Sequence, residues 1–260
     1  MAGPPPDVIG RYALFEPFAA GGMATVHLGR LLGPIGFSRT VAIKRLHPGL
    51  ADDPSFSTMM MDEARLSARV RHPNVVATLD VVSEGSELLV VMEYVHGDSL
   101  ARLARKVHTQ QQRLPIGVAV RIVAATLHGL HAAHESTTER GAPLNLVHRD
   151  VSPQNILVGF DGETRVADFG VAKATGRLQT TRKGEIKGKL SYMAPEQLRG
   201  EGVDRRADIY SASVVLWELL AGQRLFAQAN EALTMAAILS RTSIVRPSQH
   251  VPNLPPALHA

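Results

Sequence analysis

Hydrophobic and polar positions along the chain follow two regimes. From Arg11 to about Leu46 the apolar residues come in short runs of β type, divided by the pair Gly21 and Gly22 and by the turn residues Gly33, Pro34 and Gly36. The stretch ADDPSFSTMMMDEARLSARVRH changes period. Acidic residues sit near its start and Met60, Ala64 and Ala68 recur every fourth position, which predicts a helix. VVATLDVV and ELLVVMEYV then predict two further strands. Beyond Gly97 the pattern turns to long helices over 114–135, 204–222 and about 228–240. A β-rich first third and a helical remainder predict an α+β, bilobal architecture: a small sheet lobe with one helix over 9–92, and a hinge with a larger helical lobe over 93–260. Residues 1–8 are Pro-rich and read as a loose tail.

Composition narrows the picture only modestly. The 260 residues, 45% hydrophobic and 20% charged, are those of an ordinary globular protein able to bury a sizeable core. Cysteine is absent, which rules out disulfides and Cys-based zinc sites and fits a reducing cytoplasm, the expected location. The net charge of +4 is dispersed, without the basic stripe or interleaved aromatics of a nucleic-acid binder. MAGPPPDVIGRY lacks the apolar core of a secretory signal. No run reaches the roughly 18 uninterrupted apolar residues of a membrane span. His128, His131 and His134 share a helical face, but no further ligand accompanies them, so they read as structural. The oligomeric state is not encoded in any of these features.

The chemistry lies in a series of short motifs. FAAGGMATVHLG places a glycine loop between two strands, where backbone N–H groups can approach phosphate oxygens; a tight hairpin explains two glycines equally well. VAIK sets Lys44 in an apolar strand, where a lone charge is costly, and Glu63 on the following helix is its natural partner. Then follow His72-Pro73-Asn74, Met92-Glu93-Tyr94-Val95, His148-Arg149-Asp150, Asn155, Asp168-Phe169-Gly170 and Ala194-Pro195-Glu196.

In this order and spacing, over about residues 9–250, the chain resembles the eukaryotic-type protein kinases. GGMATV, HRDVSPQN and YMAPEQ are most similar to bacterial serine/threonine kinases. The resemblance implies ATP and Mg²⁺ as nucleotide and metal, and protein hydroxyl groups as substrate. It assigns Lys44, held by Glu63, to the α- and β-phosphates, and Asp150 to the substrate hydroxyl. Asn155 and Asp168 become the oxygen ligands of Mg²⁺. Ala19, Ala20, Gly21, Gly22 and Met23 form the loop over the phosphates. Glu93 and Val95 would offer backbone groups to the adenine edge with Met92 behind them, while Val26, Ala42 and Leu157 sandwich the ring or simply pack the core. Arg149 is the kind of cation that docks a phosphorylated loop residue; Glu185 could supply a fixed negative charge there, with Thr180 and Thr181 as modification candidates. Pro153 and the residues before Ala194 point to serine/threonine specificity. YMAPEQ belongs to a peptide-substrate loop, which argues against a small-molecule phosphotransferase.

Three departures stand out. Ala19 and Ala24 occupy the outer glycine positions of the loop. Ser152 stands where a lysine is expected, while Lys189 holds the place of a threonine in the substrate loop, as though hydroxyl and ammonium had been exchanged. The chain stops at Ala260, where kinases of this type continue with helices carrying an arginine for Glu196, so the final helices read as missing and Glu196 as a buried carboxylate without its cation. The alternative these departures leave open is a weak or inactive pseudokinase that binds nucleotide as a scaffold.

Overall fold

Strand alternation and its loss after residue 96 divide the chain into two compact units, Met1–His72 with Val76–His96, and Pro73–Val75 with Gly97–Ala260. The computed structural model describes residues 5–51, 53–85, 87–169, 189–226, 228–240, 244–251 and 254–258.

In the first unit the strands β1 (Asp7–Ile9), β2 (Tyr12–Ala20), β3 (Ala24–Leu32), β4 (Ser38–Leu46), β5 (Thr78–Glu84) and β6 (Glu87–Glu93) form one antiparallel sheet in the order β1-β2-β3-β4-β6-β5. β1 begins inside the stretch read as tail: Asp7 lies opposite Leu14 and Val8 opposite Ala13, so pairing reaches further toward the N-terminus than composition suggested. Period two then sorts the sheet's faces. Val41, Ile43, Leu89 and Val91 turn to one side and join Ile9, Tyr12 and Leu14 in a buried cluster. Gly29 makes room there, since a Cβ on it would lie 2.2 Å from Ile43 Cδ1. The segment read as one helix is two, α1 (Pro48–Ala51) and α2 (Pro54–Ser67). Asp53 restarts it: its side chain accepts from the Phe56 N–H at 3.3 Å, and Pro54 fits the first helical position. Phe56, Met60 and Ala64 bury the four-residue stripe of α2.

The second unit carries a short three-stranded sheet, β7 (Gly97–Ser99), β8 (Ile156–Gly159) and β9 (Thr164–Val166), and the helices α3 (Leu100–Thr109), α4 (Ile116–His134), α5 (Pro195–Arg199), α6 (Arg205–Ala221) and α7 (Glu231–Leu239). Sequence pattern missed α3. Among its residues only Leu100 is buried and the remainder is rich in Arg and Lys, but Ser99 caps it by accepting from the Arg102 N–H. The other ends match their chemistry. Asp204 and Asn230 cap α6 and α7 with side-chain acceptors, and Gly222 closes α6 in the left-handed conformation at φ 70°.

α4 is long and apolar enough to cross a membrane by length and composition. Here its buried face, with Ile122, Val123, Leu130 and Ala133, packs in the core of this unit, where α6 contributes Ala212, Val215 and Leu219. Gly129 of α4 faces the Asn74 carbonyl, which a Cβ would approach to 2.4 Å. Asn74 in turn donates from Nδ2 to the Thr164 carbonyl and accepts from the Val166 N–H, and this ties Pro73–Val75 to the second unit.

Candidate active site

The loop between α4 and β8 is short of regular structure, so its backbone groups need other partners. Asp208, in the first turn of α6 and fully buried, supplies them. Its Oδ2 accepts from the His148 N–H and its Oδ1 from the Arg149 N–H, both at 2.8 Å. His134, the last residue of α4, meets the same carboxylate at 2.7 Å. Arg149 is held at φ 63°, in the left-handed region that a non-glycine residue enters only when its surroundings impose it.

His148 locks the next contacts. Its Nδ1 accepts from the Asp150 N–H at 3.2 Å and its Nε2–H donates to the Ala167 carbonyl at 3.0 Å. The neutral imidazole with its proton on Nε2 satisfies both bonds. Burial, the largest influence on this ring, holds its pKa below the usual histidine value despite the nearby carboxylates. The ring lies 4.7 Å from that of Phe169.

Asp150, Asn155 and Asp168 are thereby drawn together. Asn155 Nδ2 donates to the Asp150 carbonyl at 2.8 Å and to Asp150 Oδ2 at 3.0 Å. The Ala167 N–H donates to the Asn155 carbonyl at 2.9 Å, so Asp168 (φ 57°) follows directly on a residue bonded to Asn155. Among the described residues both side-chain bonds of Asn155 run through nitrogen, and its amide oxygen is the atom suited to a hard cation. The Asp168 carboxylate is a second oxygen donor of the kind that suits Mg²⁺.

Lys189 reaches the same carboxylate: its Nζ lies 2.7 Å from Asp150 Oδ2, with Lys189 33% and Asp150 10% exposed at the side chain. Ser152 is 1% exposed, and its Oγ has no hydrogen-bond partner among the described residues. Lys189 thus stands beside Asp150, and among the described residues the Ser152 hydroxyl is not bonded to it. Gln197 seats the segment after Lys189. Its Oε1 accepts from the Ala194 N–H and its Nε2 donates to the Arg149 carbonyl, both at 3.0 Å. Ser211 Oγ donates to the Tyr192 carbonyl at 2.6 Å. Glu196 is only partly buried, so the expectation of a buried carboxylate is corrected. Leu157 lies in β8, opposite Ser99 and Arg165. Gly170, Thr180, Thr181, Glu185 and Gly188 lie outside the described residues.

The first unit holds the remaining candidates. Val26 opposes Lys44, Leu28 opposes Ala42, and Ala42 opposes Met92, so Val26, Ala42, Lys44 and Met92 share the sheet face turned away from the buried cluster. Ala19 and Ala20 pair with Val26 and Thr25, and Ala24 opens β3 opposite Leu46, so the two alanines at outer glycine positions are strand-paired, Ala19 directly after a register shift at Pro17. Between them Gly21, Gly22 and Met23 make the turn. The Gly21 N–H donates to the Ala24 carbonyl, and His47 braces both sides, donating from its N–H to the Met23 carbonyl and from Nε2 to the Gly21 carbonyl, each at 3.0 Å. The Glu93 N–H is engaged by the Ala77 carbonyl, so Glu93 can serve a ligand only through its own carbonyl; Val95 follows two residues on. Glu63 lies in α2, and its side chain is outside the described set.

Sequence reasoning missed Asp208, Gln197, His47 and the role of His134. A carboxylate inside the apolar run of 207–221 was the signal for the first, since a buried charge demands partners. Of the three helical histidines, His134 faces the core while His128 and His131 are exposed, and the described residues contain no metal-binding cluster.

Comparison with known proteins agrees with this geometry. The family described as protein kinase domain matches residues 20–256. The chain is 43% identical over 251 residues to the tyrosine-protein kinase MasK of Myxococcus xanthus, covering 96% of this chain and 39% of that protein. It is 37% identical over 227 residues to the serine/threonine-protein kinase PknB of Mycobacterium leprae, covering 85% of this chain and 34% of that one. The crystal structure of the Mycobacterium tuberculosis PknI kinase domain superposes with a TM-score of 0.68 at 26% identity, covering 97% of this chain and 86% of that domain. The chain thus spans about two fifths or less of the length of these two curated relatives.

Proposed function

This chain belongs to the protein kinase family, and from that premise we propose that it transfers the γ-phosphoryl group of ATP to serine and threonine hydroxyls of proteins. The observation that carries the reading is that Asn155 bonds Asp150 through Nδ2 and, through its carbonyl, Ala167, the residue before Asp168. Asp150 orients the substrate hydroxyl and accepts its proton as the oxygen attacks phosphorus. Asn155 fixes that carboxylate through Nδ2, so the acceptor oxygen keeps its position without reorganisation. Asn155 and Asp168 would hold Mg²⁺, which neutralises charge on the phosphate oxygens when bound. In the first unit, Lys44 would bind phosphates.

Serine/threonine specificity is supported by Pro153, by the residues leading into Ala194, and by relatives named as serine/threonine kinases. The Myxococcus relative bears the name of a tyrosine kinase, so hydroxyl specificity is what the experiment must decide. Incubation with radiolabelled ATP, Mg²⁺ and a generic basic protein, followed by phosphoamino-acid analysis, gives phosphoserine or phosphothreonine on this reading. Phosphotyrosine alone overturns the specificity. A second reading, a nucleotide-binding scaffold with weak or no catalysis, is favoured by the hydroxyl at position 152; it predicts binding of Mg²⁺–ATP without transfer.

A further inference from the structure

The stretch from Val151 to Asn155 carries no cationic side chain. The position two after Asp150 is a buried serine whose hydroxyl finds no partner among the described residues. The ammonium beside Asp150 comes instead from Lys189, 39 positions later, 2.7 Å from the oxygen that also accepts from Asn155. The pair is not an open surface contact, because the Asp150 side chain is nine-tenths buried and that of Lys189 two-thirds. A cation so placed is partly desolvated and can act on charge that develops next to Asp150.

The segment bearing Lys189 is fastened to the loop it serves. Gln197 spans from the Ala194 N–H to the carbonyl of Arg149, the residue immediately before Asp150. Ser211 holds the Tyr192 carbonyl from the core side. Through these bonds the substrate-side segment, not the loop itself, delivers the charge.

We propose that Lys189 is a catalytic residue that contacts the transferring phosphoryl group, and that Gln197 is a positioning residue acting through it. The catalytic cation is then present only while residues 189–197 are seated on Arg149. The inference rests on the kinase reading and adds to it a dependence of catalysis on substrate-loop seating. In the step itself, the substrate hydroxyl oxygen forms the new bond to the γ-phosphorus. The bond from that phosphorus to the bridging oxygen breaks, its electron pair leaves with ADP, and the hydroxyl proton passes to Asp150. Lys189 stabilises the negative charge on the phosphoryl oxygens during transfer and is unchanged at the end.

Steady-state kinetics with a protein substrate, together with the thermal shift produced by Mg²⁺–ATP on each variant, test the proposal. Lys189→Thr should lower kcat by about 10²-fold, the scale of one lost charge-stabilising donor, while keeping the nucleotide-induced shift. Ser152→Lys added to Lys189→Thr should recover at least about tenfold, a non-additivity expected of two positions serving one task. Gln197→Glu, which keeps the acceptor for Ala194 and loses the donor to Arg149, should lower kcat more than it raises KM. In the Ser152→Lys/Lys189→Thr background the same change should cost much less. A lysine at the buried position 152 has a packing cost, so Lys189→Arg and Lys189→Gln decide independently: the first should keep at least about a tenth of kcat and the second fall with Lys189→Thr. Lys189→Thr or Lys189→Gln within about threefold of wild type overturns the proposal and leaves the kinase reading intact. A wild-type protein that transfers no phosphate and shows no nucleotide shift overturns both.

Discussion

Replacing Asp208 with Asn tests whether one buried carboxylate holds the loop of Asp150 in shape. The change is nearly isosteric, but an amide offers one oxygen where the carboxylate offers two. Asp208 Oδ1 accepts from Arg149, while Oδ2 accepts from His148 and meets His134. Whichever way the amide turns, one backbone N–H of the loop is left facing an NH₂ group in a site with no solvent access. An orphaned buried donor costs about 1–3 kcal/mol, and exchanging an ionised acceptor for a neutral one weakens the surviving bonds, so about 2–4 kcal/mol is the expected loss. For a unit of this size that corresponds to a fall in Tm of roughly 5–12 °C. Arg149 adds a kinetic consequence. Its left-handed backbone stores about 1–3 kcal/mol of strain that these bonds offset, and its release shifts the neighbouring Asp150. Misplacement of about 1 Å at a reacting group costs about 10²-fold, so kcat should fall by one to two orders of magnitude while KM for ATP changes little. Calorimetry and steady-state kinetics give the two readouts. Asp204→Asn on the same helix is the control, because an exposed Asn caps a helix as well as Asp and should alter neither. If Asp208→Asn melts within about 1 °C of wild type and keeps kcat within about twofold, the loop is not held this way.

Mg²⁺–ATP at about 100 times its Kd should stabilise the wild-type protein by about 2.7 kcal/mol, and Lys44→Ala or Asp168→Ala should largely abolish that shift in a thermal melt. His148 is neutral when folded because burial lowers its pKa below the ordinary 6.5. The unfolded chain binds a proton more readily, so the stability from this group is complete above about pH 6.5 and falls as pH drops toward the folded value, with a slope approaching 1.4 kcal/mol per pH unit. Urea midpoints at pH 7.5 and 5.5 should show this drop, and a His148→Gln variant should show less of it. Tyr192 donates to Glu218 at 2.7 Å and accepts from Arg224, in a pocket where burial pushes the Glu218 carboxyl up and the Tyr192 phenol well above its usual range. Tyr192→Phe removes a partner from that carboxyl and should cost about 1–3 kcal/mol in chemical denaturation, unless the hydroxyl contributes nothing to the fold.

Periodicity and short motifs were enough for the two-part architecture, most of the strands and long helices, and the residue types gathered at the candidate site. These follow from period-two and period-four burial and from motifs whose members are close in sequence, such as His148-Arg149-Asp150. The local pattern was weakest where local energies are small. It missed α3, which buries little, and it joined α1 to α2 across Asp53, whose side-chain cap restarts the helix. Tertiary structure decided what depends on residues far apart in the chain. Asp208 and Arg149 are 59 positions apart and Lys189 and Asp150 are 39 apart. No periodicity records that the carboxylate of one helix serves as acceptor for a loop before β8. The exchange of serine and lysine was legible as a pair of odd residues, but only the fold brought the Lys189 ammonium to Asp150 and left the Ser152 hydroxyl without that bond. The physical reason is that burial and hydrogen-bond demand are properties of a position in space. Sequence states which groups must find partners, and packing selects which partners they find.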